Sequence, residues 1–326
     1  GDQELRGDEA FFYFFSLRSF QDIIHTTIEL GEPHPVGSYL IEKAGLYLAG
    51  NSEFSVRFFS AWFGVLAVGL AFRLGRRLGL SCGTAGLGAS LLAISPFAIW
   101  YSQDARMDSM SLALTIASTW LAIEMLERPR RSSWLTYVLV SWLALHVHYF
   151  TAFVLLAQNI FVLSRAWFRS RPRAEVIRWG GAQLLLALLY APWLLLARGI
   201  LSSYHGTGDS PGFIEMLCRS LSSFAVGQAA PVSQRYLYAL LSGVLVLGGI
   251  ARLARGNKAG QDAAWLLVLC LALPLGITWA SARSRPIFHE RYLVAAVPPF
   301  YLLMAAAVCA RGPKWRHNLF EVRKVP

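Results

Sequence analysis

Nine long apolar stretches constrain this 326-residue chain more than any other feature: about 54–73, 81–101, 108–126, 133–147, 149–167, 178–197, 236–253, 263–281 and 292–310. A helix that crosses a bilayer needs about 20 mostly apolar residues, because its backbone has to satisfy its own hydrogen bonds across roughly 30 Å of hydrocarbon. The pattern predicts an all-α protein, a polytopic transmembrane helix bundle of about nine spans that forms a single domain over residues 1–326. Hydrophobic residues make up 55% of the chain and charged residues 15%, which excludes a disordered chain and argues against an ordinary soluble domain. The fourth and fifth stretches are continuous. Splitting them at His146-Val147-His148-Tyr149 avoids a helix that overshoots the bilayer and puts both histidines at a hairpin tip.

The connections alternate in charge. Segments 73–78, 127–132, 165–178, 252–262 and 311–326, with Glu124, carry a net +14, whereas 1–57, 102–108, 198–235 and 282–291 carry −3. The positive-inside rule puts the first set in the cytoplasm and the second outside. Topology thereby accounts for the formal charge of +11, and nucleic acid is not expected as a partner. The first outer loop is 1–53, the long outer loop 198–235 and the cytoplasmic tail 311–326. An outside start at Gly1 predicts a further transmembrane helix preceding residue 1.

The outer segments are amphipathic. From Phe11 to Phe20, and on to Ile23 and Ile24, the apolar residues share one broad helical face with Arg18 and Asp22 off it, which suits a helix lying in the membrane interface. Residues 36–49 and 213–227 read the same way. Cys82, Cys218, Cys270 and Cys309 are scattered and indicate neither a metal knuckle nor a disulfide framework.

Few charges interrupt the spans, so the chemistry is expected at the outer surface. Four clusters stand out there: Asp8-Glu9, Glu32-Pro33-His34-Pro35, Trp100 to Asp108, and Phe288-His289-Glu290-Arg291-Tyr292. Each has a plain reading as solvated acids, a proline turn, a polar loop or a snorkelling arginine. Together they offer carboxylates for proton removal or metal binding, and arginines whose planar fork matches a phosphate. Asp104 and Arg106 border the membrane, where an unpaired ion is costly. His146 and His148 face the same side. The combination suits a lipid substrate that carries a phosphate.

These residues resemble a known family. Asp8-Glu9, the aromatic interfacial helix, His34-Pro35, Ser52-Glu53-Phe54-x-x-Arg57, Gly75-Arg76-Arg77-Leu78, Ser95-Pro96, Tyr101-Ser102-Gln103-Asp104-Ala105-Arg106-Met107 and Arg291-Tyr292-Leu293 look like the GT-C glycosyltransferases, in particular the bacterial family 39, protein-mannosyltransferase-like branch. Two departures are His34-Pro35-Val36 for His-Pro-Pro, and Asp104 where the family has Glu.

The resemblance implies a bacterial plasma-membrane enzyme with its active side extracytoplasmic. It would move a sugar from a polyprenyl-phosphate carrier to a hydroxyl of a glycan, lipid or protein, with inversion. By similarity Asp8 is the general base, and Glu9 and Asp104 orient it or hold a divalent cation. Metal use is uneven in the family, and Mg2+ or Mn2+ is the ion expected where one is used. Arg106 and Arg291, with His289, are the cations for the phosphate; His34, His146, His148 and Tyr101 complete the expected substrate site. Two other classes fit the bundle: a lipid or solute transporter, and an inactive GT-C-like scaffold subunit of a membrane complex.

Overall fold

The computed structural model describes residues 4–168, 173–228 and 230–309. The tail read over 311–326 lies outside the described residues. The helices in chain order are α1 (Gly7–Ser16), α2 (Phe20–Glu29), α3 (Gly37–Ala49), α4 (Glu53–Arg77), α5 (Cys82–Ala93), α6 (Pro96–Gln103), α7 (Asp108–Glu127), α8 (Arg131–Val147), α9 (Thr151–Phe168), α10 (Arg173–Ser203), α11 (Phe213–Val226), α12 (Arg235–Ala254), α13 (Lys258–Ala282) and α14 (Val297–Val308), the last preceded by a 3-10 helix over Glu290–Ala296. The expected spans all have helical counterparts. Seven are long and apolar enough to cross a membrane by composition, and an eighth is the bent pair α5–α6. The ninth, α8, has 17 residues.

Local sequence sets the breaks. Ser95 accepts a hydrogen bond from the Ala98 N–H, and Pro96 opens α6 where a missing N–H costs nothing. The chain turns by 54° there. Ser52, Ser81 and Asn257 cap α4, α5 and α13 in the same way. The interfacial helix expected to run from Phe11 to Ile24 is instead two helices. Ser19 accepts from the Asp22 N–H and starts α2 afresh, so a strong cap overrides the continuous apolar pattern.

The bundle is built around α7 and the last span, Glu290–Val308, in whose most apolar windows 78% of residues are buried, while the span over Val232–Ala254 is enclosed over only 22%. α7 packs on α4 and α8, and α14 on α12 and α5. Gly88 lets α5 approach α14: a Cβ there would come 2.8 Å from Leu302 Cδ2. Gln158 ties three helices together, accepting from the Tyr137 hydroxyl at 2.9 Å and donating to Ser118 and Thr119 at 3.2 Å.

The helices α1, α2, α3 and α11 gather at one end of the bundle with the Asp8 and Arg291 segments. There an antiparallel bridge joins Asp209 to Phe288, and Arg219 reaches both Asp209 and Glu290 at 2.7 Å. These contacts fix the segment that leads into the last span.

Glu42 of α3 is fully buried, and neither of its oxygens has a partner among the described residues. Burial pushes its pKa up to about 8 from an ordinary 4.5. The folded protein keeps this proton where the unfolded chain has lost it. Stability is therefore expected to fall by roughly 1.4 kcal/mol per unit as pH rises through that window. Glu42→Gln should remove this slope. Melting temperatures measured from about pH 5 to about pH 8 test it, and parallel curves for the two proteins would refute it.

Candidate active site

The first turn of α1 presents Asp8 and Glu9 in opposite environments. The Glu9 side chain is 2% exposed and that of Asp8 63%. Glu9 Oε1 accepts from Arg57 Nε and the Ala105 N–H, both at 3.0 Å, and Oε2 accepts from Arg57 Nη2 at 2.9 Å and the Arg6 N–H at 3.0 Å. Burial opposes ionisation, but these hydrogen bonds and the Arg57 charge outweigh it and bring its pKa down to about 2. Glu9 thus pins α1 to α4 and to the Asp104-Ala105-Arg106 turn.

Asp8 projects at the rim. Its Oδ2 lies 2.5 Å from Arg106 Nη1 and 3.1 Å from Arg291 Nη1, which brings the opening acidic pair against the entrance of the last span, 283 residues away in sequence. Burial acts to raise its pKa, but Arg106 and Arg291 prevail and hold the carboxyl below its ordinary range.

Beneath this trio lies Asp108, the first residue of α7. It is fully buried, with neither oxygen hydrogen-bonded among the described residues. Arg106, Arg291, His34 and His289 are within electrostatic reach. The two arginines are thus paired with Asp8 and lie within electrostatic reach of Asp108.

The histidines divide. His34 Nδ1 is 2.5 Å from Glu32 Oε1, which also accepts from the Tyr39 hydroxyl at 3.0 Å. This carboxylate anchors one ring nitrogen, and the ring lies within electrostatic reach of Asp8 and Asp108. His148 is buried and accepts at Nδ1 from the Phe150 N–H at 3.2 Å, which places its proton on Nε2, a buried donor without a partner among the described residues. Burial, with His34, Arg106 and Arg291 nearby, lowers its pKa to about 3 and keeps it neutral. His289 Nδ1 accepts the Arg291 N–H at 3.2 Å. Burial and the Arg291 charge shift its pKa down.

His146 is not brought to this group. Its Nδ1 bonds the Trp142 carbonyl at 2.9 Å, and its ring packs among Trp142, Tyr190 and Trp193. Two positions before His148 in the chain, it turns to the α8–α10 seam. Tyr101 is buried and its hydroxyl accepts from Gln228 Nε2 at 2.8 Å.

The expected metal ligands do not fit a cation. Both Glu9 oxygens are occupied by N–H donors, Asp104 is paired with Arg6, and among the described residues no three His, Cys, Asp or Glu side chains are placed to hold a metal ion. Burial raises the Asp104 pKa, with Arg6 opposing.

Three contributors escaped the sequence: Asp108, which reads as the end of a polar loop; Glu32, whose role shows only through His34; and Arg57, visible in a motif but not as the partner of Glu9.

The fold is that of the GT-C membrane glycosyltransferases. It is similar to the crystal structure of ArnT from Cupriavidus metallidurans in the apo state, with TM-score 0.60 and 15% identity, covering 93% of this chain and 55% of that one. The same protein bound to undecaprenyl phosphate gives TM-score 0.55 and 14% identity, covering 92% and 58%. The chain thus spans little more than half the length of ArnT. No match was found among curated proteins. The family described as dolichyl-phosphate-mannose-protein mannosyltransferase matches residues 32–195, half of the chain, and the chain belongs to that family. The match takes in His34, Asp104, Arg106 and Asp108; Asp8 and Arg291 lie outside it.

Proposed function

We propose that this protein transfers a sugar from a polyprenyl-phosphate carrier to an acceptor hydroxyl on the extracytoplasmic side of a bacterial plasma membrane, with inversion. The observation that carries the reading is Asp8, exposed and ionised, held between Arg106 and Arg291 above the buried Asp108. The ArnT structure with bound undecaprenyl phosphate supports a polyprenyl phosphate as the carrier.

In this mechanism Asp8 removes the acceptor proton as the acceptor oxygen attacks the anomeric carbon. The bond from that carbon to the phosphate oxygen breaks, its electron pair stays on that oxygen, and polyprenyl phosphate leaves. The proton that arrives on Asp8 cancels its charge as negative charge grows on the phosphate, so Arg106 and Arg291 are released from Asp8 to stabilise the leaving group. Asp108 acts as a positioning residue that keeps both guanidiniums in place. His148 Nε2–H donates to a substrate oxygen, and His34, anchored by Glu32, flanks Asp8. No step is routed through a metal ion.

Protein reconstituted in lipid is given polyprenyl-phosphate-linked sugars one at a time, with cell-envelope fractions as acceptor. Released polyprenyl phosphate and a product of inverted anomeric configuration are expected. Absence of release with every sugar overturns the transferase reading, and retained configuration overturns single displacement.

A further inference from the structure

Beside the Asp8 group, on the far side of His289, lies a cavity of about 150 Å³ lined by Ser222, Ser223, Gln228, Arg235, His289 and Glu290. It is large enough to hold several waters or a small polar group, and most of the side chains that line it are polar. Two of its walls belong to the site already described: His289 accepts from the Arg291 N–H, and Gln228 donates to Tyr101.

Arg235 is the distinctive member. The guanidiniums nearest the Asp8 group and the cavity are committed: Arg6 to Asp104, Arg57 to Glu9, Arg106 and Arg291 to Asp8, and Arg219 to Glu290 and Asp209. Arg235 has no carboxylate or hydrogen-bond partner among the described residues. The cavity's own carboxylate, Glu290, is bound by Arg219 at 2.7 Å, which leaves Arg235 as the charge that a ligand would meet.

Its position on α12 indicates what that ligand is. From Arg235 the helix continues into an exposed apolar stripe of Tyr236, Leu237, Leu240, Leu241, Val244 and Leu247, at the i, i+3, i+4, i+7 spacing of one face. A molecule with an anionic head in the cavity and a long apolar tail would lie along that stripe.

We infer that this cavity is the ground-state docking subsite for a lipid-borne phosphate, with Arg235 gripping the phosphate through its planar fork and Ser223 and Gln228 donating around it. The inference rests on the transferase reading for the identity of the lipid, the polyprenyl phosphate carrier. It separates two tasks. Arg235 recruits the carrier, and Arg106 with Arg291, both engaged by Asp8 at rest, answer only as the bond breaks.

The test is equilibrium binding of a polyprenyl monophosphate to the protein in phosphatidylcholine nanodiscs, with the matching polyprenol, phosphatidylglycerol and inorganic phosphate as separate arms. Arg235→Gln is expected to weaken polyprenyl phosphate binding about tenfold or more. Arg235→Lys should retain part of it, because a point charge remains without the fork. Binding to Arg235→Gln as tight as to the wild type overturns the subsite and leaves the transferase reading standing. Absence of binding by the wild type removes both. Equal, Arg235-dependent affinity for phosphatidylglycerol would make this a general anionic-lipid site, and displacement by inorganic phosphate at matching concentration would make it a free-phosphate site. Either result overturns its assignment to the carrier.

Discussion

Asp8→Asn should lose sugar transfer by about 10²- to 10⁴-fold, the usual contribution of a general base, while the protein still folds and inserts. The asymmetry follows from placement: the Asp8 side chain is 63% exposed and bears little of the packing, yet it is the carboxylate that both rim arginines address. Asparagine preserves the shape and removes the base. Wild-type turnover in the variant would eliminate Asp8 from the chemistry. The wild-type pH profile carries a second check. In the free enzyme Arg106 and Arg291 keep Asp8 ionised below the ordinary 3.8, so the acid limb of kcat/KM should fall below that value. Once substrate phosphate draws the arginines away, the carboxyl recovers basicity and the acid limb of kcat should lie higher. Coincident limbs would show that the arginines stay on Asp8 throughout.

The neighbouring acid is expected to behave in the opposite manner. Glu9→Ala removes the acceptor of four N–H donors, two of them from Arg57. Breaking a buried pair in this way costs about 3–5 kcal/mol, so loss of folded yield should precede any kinetic measurement. The stabilising contribution of Glu9 is present above its ordinary pKa of 4.5 and lost as pH falls toward about 2, so the wild-type melting temperature should drop through that acid interval. A Glu9→Ala protein that melts like the wild type would mean that α1 is held by its aromatic face alone.

The bundle was legible in the sequence because lipid permits so few alternatives: a spanning segment has to be apolar and helical, and the runs from 54 to 310 say so directly. The interfacial helices were legible by periodicity, apart from the break at Ser19, a single cap inside an unbroken apolar pattern. At the site, sequence order placed Asp8 and Arg291 in the same loop set, but whether they meet depends on how the helices pack. Burial is what separates Asp8 from Glu9, two adjacent acids with the same local signal. Asp108 illustrates the same limit. An acid at the start of a helix is ordinarily solvated, and only α7's central position in the bundle encloses this one.

The 3-10 helix over Glu290–Ala296 has a mechanical meaning. Seven residues wound at about 2.0 Å per residue instead of 1.5 Å extend the chain by roughly 3.5 Å, so the final span keeps its deep footing while its leading edge stretches to the surface. A coil with three residues per turn also indexes its side chains in steps of about 120°. Shortening or lengthening it by one residue would rotate the guanidinium of Arg291 away from the first helix, which makes the length of this spacer, as much as the identity of the arginine, a requirement of the assembled rim.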